Sequence, residues 1–104
     1  MKTTKAEISK VFAELRKWGF LVFNFNQKNR FGRGLVGFVD HLVIGRNRIW
    51  FIEVKIGKDK FSKEQEDLKD RISEIEGWTN GRIDYRIVFD LQTAKSIQEI
   101  ILST

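Results

Sequence analysis

The chain has 104 residues, 41% of them hydrophobic and 32% charged, with a formal net charge of +5, which suits a single globular domain over residues 1–104. It has no Cys, one His and no Pro, which excludes disulfides, thiolate zinc sites, a Cys nucleophile and a Pro-rich linker. The longest apolar runs, Phe20 to Phe23 and Ile49 to Ile52, have four residues where a membrane span needs roughly 20; with no apolar stretch in Met1-Lys2-Thr3-Thr4-Lys5 to make a signal peptide, the expectation is an intracellular protein without a membrane partner.

In chain order, residues 4–18 predict a helix with Ile8, Val11, Phe12, Leu15 and Trp18 on one inward face, ended by Gly19. Phe20 to Asn26 predicts a strand. Residues 27–36 predict a basic, glycine-bearing loop with Lys28, Arg30, Gly32, Arg33 and Gly34. Two strands follow, Phe38 to Ile44 and Ile49 to Ile56, joined by a hairpin turn at Gly45-Arg46-Asn47-Arg48. Both are apolar on both faces, as in a sheet covered on both sides. Ser62 opens a helix to about Glu76 with Leu68, Ile72 and Ile75 inward, broken by Gly77 and Asn80-Gly81. Ile83 to Phe89 predicts a fourth strand. Asp90 caps a last helix through Leu102 with Ile97, Ile100 and Ile101 inward. The order is that of an α/β domain with a mixed four-stranded sheet.

Three charges interrupt these strands: Asp40 in one, Glu53 and Lys55 in the other. If Gly45 pairs with Arg48, Ile44 meets Ile49, Leu42 meets Phe51 and Asp40 meets Glu53, with Cβ atoms roughly 4.5–5.5 Å apart. Two opposed carboxylates in an apolar sheet repel unless a cation bridges them, and their oxygen ligands suit Mg²⁺ or Mn²⁺. Lys55, on the same face, adds a donor and positive charge. Together they suit phosphodiester hydrolysis, with the lysine orienting the attacking water. The alternative is a buried salt bridge, but two acids and one base leave a charge unpaired.

The charge distribution agrees. Residues 1–26 carry a net +3, residues 27–60 a net +5 and residues 61–104 a net −3, so the positive excess lies with Asp40, Glu53 and Lys55. This suggests a polyanion-facing surface, although a basic balance alone also fits a domain that is merely soluble.

Gly37, Asp40, the hairpin to Glu53-Val54-Lys55, and Ser62 to Gln65 resemble the PD-(D/E)XK nuclease superfamily, and within it the small virus-type replication-repair nuclease domains, which are similar to archaeal Holliday junction resolvases. The resemblance covers about residues 7–90, with its specific part at 37–65. It implies a restriction-endonuclease-like αβββαβ core and a metal-dependent DNA endonuclease, selective for Holliday junctions or other branched DNA in replication, repair or recombination. Asp40, Glu53 and the Val54 carbonyl would bind the metal, and Lys55 would be the catalytic lysine. A first-helix glutamate, Glu7 in preference to Glu14, would join them. The resemblance further implies a homodimer in the cytoplasm of a bacterial, archaeal or virus-infected host cell. Val39 departs from the family, where a proline often precedes the aspartate.

Gln65 has two compatible roles. It completes a capping box with Ser62, and in the resembling family such a glutamine sits beside the metal. His41 points to the opposite sheet face, as a packing residue. Lys28, Arg30, Arg33, Lys58 and Lys60 are candidate contacts to DNA phosphates or a solvated basic surface. Trp50 is expected in the core, and Trp78 in the core, on a dimer surface or under a base. The rival readings are a nicking or restriction-like nuclease of the same fold, a non-catalytic DNA-binding module, and a partner-binding protein whose acids merely pair with Lys55.

Overall fold

The computed structural model describes residues 4–25 and 38–104. Helix α1 spans Lys5–Ala13 and is capped by Thr4, whose hydroxyl accepts from the Glu7 N–H. The chain then tightens into a 3₁₀ segment, Glu14–Trp18, and turns at Gly19, which takes a left-handed conformation (φ 91°) that favours glycine. Strand β1 is Leu21–Asn24, β2 His41–Ile44 and β3 Ile49–Val54. Helix α2 follows at Lys63–Trp78, then β4 at Ile83–Val88 and α3 at Leu91–Leu102.

The strands form one mixed sheet in the order β1-β2-β3-β4, antiparallel except for the parallel pair β3–β4. Helices flank it, giving an α/β fold. The Gly45–Arg48 turn closes with Gly45 N–H donating to the Arg48 carbonyl at 2.9 Å. The register is the expected one: Ile44 pairs with Ile49, Leu42 with Phe51 and His41 with Ile52.

The two sheet faces differ in burial. Val22, Val43, Trp50, Ile52, Val54 and Val88 form one, closed by Ile8, Val11, Phe12 and Leu15 and by Ala94, Ile97 and Ile101 of α3. The other carries Leu42, Ile44, Ile49 and Phe51, all half-buried, with Leu21 and Phe23 exposed. Here α2 packs on β4, so the expectation of full cover on both faces is corrected. Trp18 is corrected too: it is 69% exposed. A 3₁₀ turn advances about 20° more per residue than an α turn, so the segment from Glu14 carries Trp18 off the apolar stripe that Ile8 to Leu15 follow. Ile100 lies at the edge of α3's stripe and is exposed rather than inward. Helix α2 runs through Gly77, and the break falls at Asn80 and Gly81, both at positive φ. Among the described residues, no helix is long and apolar enough to cross a membrane.

Candidate functional site

Strand β2 starts at His41, so Asp40 sits just before it, next in register to Glu53. Its backbone carbonyl accepts from Phe25 N–H of the chain beyond β1 at 2.8 Å, and its side chain replaces the missing ladder partner of β3. Oδ2 accepts from Val54 N–H, also at 2.8 Å. Lys55 N–H bonds the other way, to the Val88 carbonyl of β4. Strand alternation therefore turns the Val54 carbonyl toward the β2 side as well.

Glu53 is 1% exposed, and its Oε2 is buried without a hydrogen-bond partner. Its pKa is pushed up to about 9, first by burial and then by the Asp40 carboxylate, which favours the proton by hydrogen bonding and by charge; Lys55 and Lys5 oppose this more weakly. Without a cation, Glu53 is thus protonated at neutral pH.

Lys55 is tethered. Its Nζ donates to Gln65 Oε1 at 2.7 Å and to the Lys60 carbonyl at 3.1 Å, and lies 5.1 Å from the centre of the Phe61 ring. Gln65 Oε1 also accepts from Ser62 N–H at 2.9 Å, while Gln65 N–H donates to Ser62 Oγ. One oxygen therefore completes the capping box and fixes the lysine.

The first helix contributes differently. Glu7 is exposed on the first turn of α1, and its carboxylate accepts from the Thr4 hydroxyl. Glu14 is exposed and accepts from Gln98. Lys5 is the α1 charge that acts on Glu53, and it also pairs with Asp59 at 3.6 Å. Among the described residues, no three of His, Cys, Asp and Glu converge on one point. Lys58 and Lys60 are exposed on the loop after β3. Lys28, Arg30 and Arg33 lie outside the described residues.

His41 is buried on the opposite face. Its Nε2 is 3.5 Å from Ser9 Oγ and its ring packs 5.4 Å from that of Phe12. Burial first, then Arg16, brings its pKa down to about 4 against the pull of Asp40, so it packs there as a neutral ring. Trp50 is fully buried, with the guanidinium groups of Arg48 and Arg86 at 5.2 and 5.7 Å from its ring. Trp78 is 71% exposed at the end of α2.

Two neighbours of the site escaped the sequence reading. Tyr85 of β4 shares the Glu53 face, its hydroxyl is buried without a partner, and its pKa is raised by burial and by the charges of Glu53 and Asp40. Its parity along β4 was legible, but the parallel register that sets it beside Phe51 depends on how α2 returns the chain. Phe61, the ring under Lys55, carried no signal beyond its place before the Ser62 cap.

The donor set fits a hard divalent cation. It offers the Asp40 carboxylate, the Glu53 carboxylate with an orphaned buried oxygen, and a carbonyl on the same side. Magnesium is commonly held by one or two carboxylates, with water completing its shell. No protein-family model matches this chain, and no curated protein or solved structure matches it significantly.

Proposed function

We propose that the chain is a Mg²⁺- or Mn²⁺-dependent endodeoxyribonuclease with a restriction-endonuclease-like core, acting as a homodimer on branched or duplex DNA. One observation carries the reading. Glu53 is an almost fully buried carboxylate with an orphaned oxygen, set beside a second carboxylate and two residues before a tethered lysine. A buried acid so placed is costly as pure structure and useful as a cation ligand.

Asp40, Glu53 and the Val54 carbonyl would hold the cation, with Glu53 serving as a carboxylate. When bound, the cation polarises a phosphoryl oxygen and lowers the pKa of coordinated water. Lys55, with two of its donors committed to Gln65 and Lys60, orients the water that adds to phosphorus and steadies charge developing on the phosphoryl group. That water gives a proton to solvent as the bond to the leaving ribose oxygen breaks, and the leaving oxygen takes a proton from solvent. Lys58 and Lys60 grip neighbouring phosphates, as Lys28, Arg30 and Arg33 would.

The test is cleavage of four-way-junction, flap and plain duplex DNA with Mg²⁺, Mn²⁺ or EDTA, beside Glu53→Ala and Lys55→Ala. Cutting that needs the cation and falls at least 100-fold in either variant is expected. Cutting in EDTA, or full activity of Glu53→Ala, overturns the metal mechanism. DNA binding without cutting under any condition identifies a binding module instead.

A further inference from the structure

The Phe61 ring has a second cation. Lys69 Nζ lies 5.3 Å from the ring centre, and Lys55 Nζ lies 5.1 Å from the same centre. Two ammonium groups thus converge on one half-buried ring next to the proposed site. The negative face of the ring attracts each of them, but it does not neutralise either.

The two differ in what else they hold. Lys55 donates to Gln65 and to the Lys60 carbonyl. Lys69 makes no ion pair or hydrogen bond through its ammonium among the described residues, although Glu66 stands one turn back on the same helix. Surface lysines on helices commonly pair at that spacing. Lys69 instead lies four residues beyond Gln65, on the helix face that meets Lys55. Arg71, by contrast, is paired with Glu74 at 3.1 Å. Six of the sixteen residues of α2 are acidic, so a polyanion is repelled from most of this helix and admitted along the seam where Lys69 and Lys55 share the Phe61 ring.

We propose that Lys69, which shares the Phe61 ring with Lys55, forms a subsite for a backbone phosphate of the DNA adjacent to the phosphate that is cleaved. The inference rests on the DNA reading above. Lys69 sets affinity and the path of the strand along α2, while Lys55 serves the reacting phosphate. A lone ammonium is a point charge without sequence preference, so the contact strengthens binding about equally across DNA sequences.

The experiment measures duplex-DNA binding by fluorescence anisotropy from 20 to 200 mM NaCl in the Glu53→Gln background, which suppresses cutting. Lys69→Met keeps the apolar stem over Phe61 and removes the charge; Lys69→Arg keeps a charge. Losing one phosphate contact lowers the slope of log Kd against log[NaCl] by about 0.9. The expected result is that drop in Lys69→Met with Kd weakened several-fold, a near-parental slope in Lys69→Arg, and an unchanged melting shift on adding Mn²⁺ when Lys69→Met is placed in the wild-type chain. If the parent binds DNA and Lys69→Met binds with the same slope, the subsite is overturned and Lys69 only covers Phe61. A lost Mn²⁺ shift also overturns it, because the lysine then acts through the carboxylate pair. If neither the parent nor the wild-type chain binds DNA at 20 mM NaCl, the DNA reading fails and the subsite with it.

Discussion

Glu53 concentrates the conflict of this site, and its proton gives a measurable consequence. Its folded pKa of about 9 lies above the ordinary 4.5, so the folded state holds the proton more tightly than the unfolded chain. Its contribution is fully present below about pH 4.5 and is lost as pH rises through about 9. The groups acting on it are Asp40, Lys55 and Lys5, with Tyr85 beside it. His41 works in the opposite sense. Its folded pKa of about 4 lies below the ordinary 6.5, so its contribution is present above pH 6.5 and is lost as pH falls. Between about pH 4.5 and 6.5 the two slopes offset each other. In EDTA, wild-type stability should therefore be nearly flat in that window and fall from pH 6.5 to 9. Glu53→Gln should remove the alkaline fall and expose an acid loss due to His41. At pH 8.5 the variant should melt higher than wild type, by about 4–8 °C for each kcal/mol gained in a domain this small. Adding Mn²⁺ should raise the wild-type melting temperature and leave the variant unmoved. Melting curves across pH check both; a wild-type chain that grows more stable from pH 6.5 to 9 contradicts the protonated Glu53. Asp40 and Glu53 were legible as neighbours because a short turn fixes a hairpin register. The shared proton and the Tyr85 hydroxyl beside it were not, because both depend on burial by parts of the chain distant in sequence.

At the scale of elements, local sequence rules served best where one residue satisfies one backbone group. The Ser62 to Gln65 spacing announced a capping box, and both of its hydrogen bonds are present. Asp90 caps α3 by accepting from Thr93 N–H at 2.7 Å. The rules failed where an element changes type: nothing in Glu14 to Trp18 marks the shift to 3₁₀ geometry that exposes Trp18. The double use of Gln65 Oε1, on Ser62 N–H and on Lys55, makes its two roles separable by mutation. Ser62→Ala removes the hydroxyl of the cap and should cost about 1 kcal/mol, but it leaves Gln65 free to hold Lys55, so cleavage should stay within about threefold of wild type. Gln65→Ala should cost a similar stability and also release Lys55, reducing kcat about 10-fold or more, since misplaced catalytic groups lose rate steeply. Melting temperature and single-turnover cleavage, measured on both variants, separate the cap from the site. Equal rate losses in the two would assign Gln65 a capping role alone.

Across the whole molecule, charge follows chain order: residues 1–60 sum to +8 and residues 61–104 to −3. The sheet brings the two parts together at one place, because β3 comes from the basic part and its parallel neighbour β4, with α2 between them, from the acidic part. The carboxylate pair, Lys55 and the Lys58–Lys60 loop lie where β3 ends, and the seam with α2 is where Lys69 enters. This meeting was not legible in the sequence, since a sum over residues cannot say which acids of α2 face the site and which face solvent. Under the DNA reading, the contacts to count among the described residues are Lys58, Lys60 and Lys69, and that fixes the expected dependence on salt. With Lys58, Lys60 and Lys69 each neutralising one phosphate, the slope of log Kd against log[NaCl] is about 2.7, and binding weakens roughly 40-fold between 50 and 200 mM. The segment around Lys28, Arg30 and Arg33 can only steepen that slope. Lys58→Ala and Lys60→Ala should each lower it by about 0.9. Lys5→Ala should change it little, because that ammonium is half-exposed and already pairs with Asp59. Titrations at four salt concentrations measure all four slopes. A wild-type slope near zero would mean that the positive charge does not face a polyanion, and the carboxylate pair would then need a different substrate.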